Sequence, residues 1–281
     1  MFQLPSQKAI EITDHEFQRI SRLVYDQCGI NLTEGKRELV KARLGKRIRN
    51  GPFRSFQDYY EYVLNDDTGQ ELIQLLDSIT TNFTFFFREP SHFDYLRKEI
   101  LPNLTDRGRD DKRFLRVWSA ACSTGEEPYS IAITLLEAIG HPFLWDLSIL
   151  ATDISTKVIR AAQTGIFPKE RIRSVPPPLI KKYFLRGEGS WKDYVKVKEE
   201  VRKLVQFRRL NLMEPFDHPE PFDCIFCRNV MIYFDKKAQS TLVNRLYECL
   251  KEGGYLLIGH SESLTGISHP FKYVRPAIYK K

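Results

Sequence analysis

Four stretches of this 281-residue chain hold residue types able to do chemistry, and in each the polar groups follow a run of apolar ones. The first is Ser119-Ala120-Ala121-Cys122-Ser123-Thr124-Gly125-Glu126-Glu127-Pro128, where small side chains let a ligand approach backbone N–H groups beside two carboxylates. It has one glycine and no GxGxxG, so a pyrophosphate cofactor such as NAD is a poor match, and Glu126 with Glu127 would repel a phosphate. A cationic or neutral nucleoside fits better. The second is Asp153, which closes the apolar run 147–153 and can accept both hydroxyls of a ribose. An N-cap role competes for it, although Ser155 already fills that role. The third, Asn211-Leu212, can offer an amide and backbone groups to an adenine edge, or can simply form a turn. The fourth, Arg228-Asn229-Val230-Met231-Ile232-Tyr233-Phe234, is polar at its head and aromatic at its tail. A ribose acid, a small-residue loop and a polar fourth end describe an S-adenosylmethionine site better than a dinucleotide site.

Such residues need a scaffold that brings strand ends together. From residue 114 onward the pattern supplies one: strands at 114–120, 147–153, 204–211, 222–227 and 255–259 alternate with helices at 128–139, 155–164 and 236–250, and 272–279 closes the chain. This predicts an α/β fold with a mostly parallel, Rossmann-like sheet of the class I methyltransferase kind. Between about 166 and 203 the rhythm breaks at Pro176-Pro177-Pro178 and Gly187-Glu188-Gly189, which predicts an inserted small antiparallel β subdomain. The front quarter is helical, with apolar residues at three- and four-residue spacing, starts at Thr13 or Asp14, Thr33 and Ser55, and a stop at Asn50-Gly51-Pro52. The expected domains are therefore an all-α domain at 1–79, a linker at 80–92 rich in phenylalanine, and an α/β domain at 93–281.

Composition narrows the function classes. Apolar residues are 42% and charged residues 28%, which excludes a disordered chain. No apolar run is long enough to span a membrane and the start lacks a signal-peptide pattern, so the cytoplasm is expected. Five scattered cysteines suit reduced thiols, and Cys224 and Cys227, three apart on a strand, point to opposite faces and cannot share a metal. The +7 charge is concentrated between Lys36 and Arg54. There Lys36, Arg43 and Arg47 share a helix face with Lys46 beside them, as a solvated face or as a dock for an acidic partner.

The segments TTNFTFFFRE, VWSAACSTGEEPYSIA, ATDIS and FDCIFCRNVMIYFD, with GHSES at 259–263, resemble the chemotaxis-receptor glutamate O-methyltransferases, the CheR family. The likeness runs from the basic helix to the last strand. It implies methyl-ester formation on glutamate side chains of methyl-accepting chemoreceptors, in adaptation, with S-adenosyl-L-methionine as donor, S-adenosyl-L-homocysteine as product and no metal. It also implies that Asn82, Thr84, Arg88, Glu127, Asp153, Asn211, Leu212, Arg228 and Asn229 surround the cofactor, with Arg88 and Tyr233 nearest the transferred methyl. Lys36, Arg43, Lys46 and Arg47 would meet the acidic receptor helices, and Gly187 and Gly189 would belong to a subdomain gripping a receptor tail peptide. His260 receives no role. A monomer without membrane insertion is expected. A nucleic-acid methyltransferase is disfavoured because the fourth strand end carries neither [DNS]PPY nor Pro-Cys, and an inactive cofactor-binding module because Arg88 and Tyr233 are in place.

Overall fold

The periodic apolar residues of the front quarter form four helices, each delimited by local chemistry. In α1 (Asp14–Cys28), Thr13 and Glu16 make a reciprocal capping box, Gly29 ends the helix at φ 71°, and Phe17, Ile20, Val24 and Cys28 are buried on one face. Then α2 (Arg37–Asn50) buries Val40, Leu44 and Ile48 and ends at Asn50-Gly51-Pro52. The Ser55 hydroxyl caps α3 (Phe56–Leu64) by accepting from Asp58 N, and α4 (Gln70–Ile79) buries Leu75, Leu76 and Ile79. Thr33 differs from expectation, because a 3₁₀ turn (Glu34–Lys36) precedes α2 and the Thr33 side chain caps nothing.

This computed structural model describes residues 11–105, 113–139, 145–216 and 220–281. The chain divides into two compact units between Thr81 and Asn82, so residues 82–92 fall within the second unit. The expectation about a leader concerns residues 1–10, which lie outside the described residues. Among the described residues no helix is long and apolar enough to cross a membrane.

In the second unit the strands are β1 (Arg113–Ala120), β2 (Trp145–Asp153), β3 (Ile166–Pro168), β4 (Phe184–Arg186), β5 (Tyr194–Val197), β6 (Val205–Arg209), β7 (Phe222–Cys227), β8 (Leu250–Ile258), β9 (Lys272–Arg275) and β10 (Ile278–Lys280). Seven of them form one sheet in the order β6-β2-β1-β7-β8-β10-β9, and the first five of that order are parallel. The order reverses between β1 and β7, the place where an open α/β sheet leaves a crevice. The inserted segment forms a separate antiparallel sheet, β3-β5-β4, in which Val195 and Val197 are buried while Tyr194 and Lys196 are exposed. Residues 272–279, expected as one strand, are instead β9 and β10, a hairpin whose turn places Ala277 at φ 63°.

The helices that connect strands start where hydroxyls or carboxylates can cap them. Ser155 accepts from Val158 N at the head of the helix Thr156–Thr164, and Asp235 accepts from Ala238 N at the head of the helix Lys236–Glu248. The helix between β1 and β2 runs over Glu126–Ala138 and begins two residues earlier than its apolar pattern suggests. All five cysteines are free, and Cys224 and Cys227 are packed inside the sheet, where burial raises both thiols. The phenylalanine-rich segment is split in use. Phe86 is buried edge-to-face against Phe167 and Phe184, whereas Phe83 is 70% exposed.

Candidate functional site

The carboxyl ends of β1, β2, β6 and β7 carry the four polar stretches, and hydrogen bonds tie them to one another and to residues 82–92. Asp153, at the end of β2, accepts from Ser123 N (2.9 Å) on Oδ2 and from Ser155 N (3.0 Å) on Oδ1. The Ser123 hydroxyl donates to the Asn82 carbonyl at 2.9 Å, which joins residue 82 to the loop after β1. Asp153 also accepts from Leu210 N through its own carbonyl, so Asn211 follows directly beside it. There the Asn211 amide closes a local turn, donating to Glu214 and accepting from Met213 N, while Leu212 is buried. Asn211 also lines a pocket of about 330 Å³ with Leu150, Thr152, Arg208, Arg209 and Phe216. Since side chains alternate along a strand, Leu150 and Thr152 face away from Asp153.

Arg228 is the centre of the second half. Its side chain is 1% exposed and donates to Glu127 (Nη1 to Oε2, 2.9 Å), to Glu89 (Nη2 to Oε2, 2.9 Å) and to the Arg88 carbonyl. Glu127 also accepts from the Ser119 hydroxyl at 2.6 Å. Burial pushes the Glu127 carboxyl above its usual range while Arg228 pulls the other way, and Glu89, less buried, is held below its range by Arg228 against the opposing effect of burial. Glu126 is buried with its carboxyl pushed up by desolvation, accepts from the Thr124 hydroxyl, and lies 3.4 Å from Arg171. The same Arg171 donates to the Thr84 carbonyl at 2.7 Å. Arg88 itself is half-buried, and its Nη1 donates to the Phe83 carbonyl at 3.1 Å.

Two carboxylates that carried no assignment hold this arrangement together. Glu89 accepts from Asn229 Nδ2 and His260 N as well as from Arg228. Glu262, from the GHSES run, accepts from the backbone N–H of Gly259 (2.6 Å), Asn229 (2.8 Å) and Ile232 (3.3 Å). It thereby fixes the turn Met231–Tyr233 that carries Tyr233. Glycine is required at 259, because a Cβ there would lie 2.4 Å from Asn229 Nδ2 and 2.8 Å from Glu262. Glu89 and Glu262 stood inside quoted motifs, yet their partners are distant in sequence, so only folding reveals their roles.

The backbone marks the same place. Six described residues other than glycine have positive φ, and five of them, Phe87, Glu89, Ala121, Ser123 and Asn229, lie in these stretches. Left-handed backbone costs an L-residue about 1–2 kcal/mol, and such strain gathers at ligand sites.

Residues 82–279 match the family model described as "CheR methyltransferase, SAM binding domain", and residues 15–80 match "CheR methyltransferase, all-alpha domain". The chain belongs to the CheR methyltransferase family. Its relatives include a chemotaxis protein methyltransferase of Borreliella burgdorferi, 44% identical over 97% of this chain and 96% of that one. Chemotaxis protein methyltransferase 2 of Pseudomonas aeruginosa is 42% identical over 95% and 93%, and the Escherichia coli chemotaxis protein methyltransferase 39% identical over 96% and 92%. The two matched regions coincide with the two units, the all-α one in front and the α/β one with its mostly parallel, class I methyltransferase-like sheet behind it.

The other residues singled out for this family lie apart from the strand ends. In the helical unit Lys36 and Lys46 are exposed, but Arg43 donates to the Ile79 and Thr80 carbonyls at the end of α4, and Arg47 makes a two-pronged pair with buried Glu71 (2.8 and 2.6 Å). In the small sheet Gly187 N donates to the Tyr194 carbonyl, and a Cβ at 187 would lie 2.0 Å from the Trp191 carbonyl oxygen. Gly187 therefore has a local reason to be glycine, whereas Gly189 needs it only for its φ of 55°.

Proposed function

We propose that this methyltransferase esterifies glutamate side chains on the cytoplasmic helices of methyl-accepting chemoreceptors. The observation that carries the reading is the convergence of two bonded groups at the strand ends, Asn82 with Asp153 through Ser123, and Arg88, Glu127 and Asn229 around Arg228 and Glu89. Glu127 and Asp153 suit S-adenosylmethionine, since one carboxylate can meet its ammonium and the other its ribose hydroxyls. Asp153, oriented by the Ser123 and Ser155 N–H groups, is the carboxylate that would meet the ribose hydroxyls. Asn82, Thr84, Arg88, Glu127, Asp153, Asn211, Leu212, Arg228 and Asn229 would hold the cofactor, which when bound supplies an electrophilic methyl.

A glutamate carboxylate is ionised at neutral pH and needs no general base, only desolvation and alignment. Arg88, with one nitrogen already on the Phe83 carbonyl, keeps further N–H groups to orient the incoming carboxylate. Tyr233, held on its turn through Glu262 and the neighbouring N–H of Ile232, would steady the other oxygen or the methyl donor. Exposed Lys36 and Lys46 would meet the acidic receptor helices, and the small sheet around Gly187 and Gly189 would grip a receptor tail peptide by strand addition. A cytoplasmic monomer fits these roles.

The test is binding of S-adenosylmethionine and S-adenosylhomocysteine, followed by tritium transfer to receptor membranes. Base-labile label supports an ester; base-stable label would show nitrogen methylation and overturn the reading. Arg88→Ala is expected to lower turnover about 10²–10³-fold and Tyr233→Phe less, and unchanged turnover in the arginine variant would remove it from the mechanism. Calorimetry with an aromatic-ended tail peptide tests the small sheet; absence of heat would place the protein among tail-independent members.

A further inference from the structure

Methyl transfer leaves one buried group unexplained. His92, in α5 (Pro90–Tyr95), is 1% exposed, and neither ring nitrogen has a hydrogen-bond partner. A buried imidazole without partners calls for an ion or a water. Around it stand Glu89, whose Oε2 is 3.4 Å from His92 Nδ1, and His260, whose ring meets the His92 ring edge-on at 4.7 Å between centroids. Among the described residues, Glu89, His92 and His260 form the group of three whose ligand atoms all lie within 4.8 Å of one another.

We propose that Glu89, His92 and His260 bind a first-row divalent cation of the Zn²⁺, Co²⁺ or Ni²⁺ type, which staples residues 89–92 to the segment after β8. Two ligands about 2.1 Å from a tetrahedral metal are about 3.4 Å apart, which the Glu89–His92 spacing already matches. Only His260 must swing inward, by about 1.4 Å if the 4.8 Å spread is to close to that geometry. It is exposed, and its ring makes one hydrogen-bond contact, between Nε2 and the Ser91 hydroxyl at 3.2 Å, so turning the ring breaks little and leaves an entry path. Two imidazoles and one carboxylate select borderline metals over Mg²⁺ or Ca²⁺. Burial and then Arg228 hold the His92 ring neutral, the form that ligates. Arg228 and Arg275 oppose the cation, and Glu89 and Glu127 offset them. The expectation of no metal came from the family resemblance, and the spacing of Cys224 and Cys227 does not bear on a ligand set split between residues 89–92 and 260.

The test uses chelator-stripped full-length protein. Titration with Co²⁺ should give the visible absorption of a low-coordinate complex at one equivalent, and Zn²⁺ should displace it. His260→Ala, at an exposed position, should weaken binding by at least about tenfold. In the wild-type protein, Zn²⁺ should shift the imidazole NMR signals of His92 and His260 together, a readout that needs no variant. Absence of stoichiometric binding, equal binding by His260→Ala, or shifts confined to other histidines would overturn the proposal. None of these readouts involves methyl transfer, so the cation site and the methylation reading stand or fall separately.

Discussion

The helical unit and the α/β unit follow the local rules of backbone conformation to different degrees. In the helical unit every described residue with positive φ is a glycine, Gly29 or Gly69, placed where a helix ends or begins. In the α/β unit Phe87, Glu89, Ala121, Ser123 and Asn229 adopt the same conformation without being glycine. The first unit is locally consistent, with caps, apolar faces and stops in agreement. The second departs from that consistency at the strand ends, where surrounding packing and bonds must hold the strained residues, and that is the mark of a site rather than of a scaffold.

The charges divide the same way, and the largest expected effect is there. Replacing Arg228 by Leu leaves Glu127 and Glu89 buried without their cation, which should cost about 3–5 kcal/mol. Denaturant titration followed by tryptophan fluorescence reads this directly, since Trp118, Trp145 and Trp191 all belong to the α/β unit. In the helical unit Arg47→Ala strands buried Glu71, but water reaches the guanidinium, so a smaller loss of about 2 kcal/mol is expected in the helical signal on denaturation.

Glycine substitution should then have opposite signs in the two units. Ala42→Gly, on the exposed face of α2, is expected to cost about 1 kcal/mol, while Ala121→Gly, at φ 62°, should be neutral or stabilise by up to about 1 kcal/mol. Equal costs at both positions would mean that Ala121 carries no strain. The smallest effect on stability, within about 0.5 kcal/mol, belongs to Lys36→Glu with Lys46→Glu. That pair should nonetheless weaken receptor methylation and its salt dependence while cofactor affinity stays unchanged. Charge reversal at Arg43 and Arg47 is a poorer probe, because those side chains hold α4 and Glu71.

How much of this could be read from the sequence depended on the range of the interaction. Caps such as Thr13, Ser55 and Ser155 bond three residues away, and apolar spacing marks buried faces, so helices and the strand alternation were legible. Asp153, Arg228 and Asn229 were legible as polar residues at strand ends, a place with functional meaning in this fold. Glu89 and Glu262 were not, since Glu89 bonds Arg228, 139 residues away, and Glu262 reaches back to residue 229. Nor could Ala121 or Ser123 announce a left-handed backbone, because only glycine signals that conformation by its type. The split of 272–279 was hidden for the same reason, with Ala277 at the turn.

Arg171 has one more consequence. It stands just after β3, between the inserted sheet and the strand ends, with one nitrogen shared by the Thr84 carbonyl and the Glu126 carboxylate. A pull on the inserted sheet therefore loads residues 84–86 at three points: the Arg171 guanidinium on the Thr84 carbonyl, the Ser174 hydroxyl on the Phe86 carbonyl, and the Phe86 ring between Phe167 and Phe184. Arg171→Ala would release the Thr84 end of that grip and leave the Phe86 end fastened, so the segment would loosen from one side only.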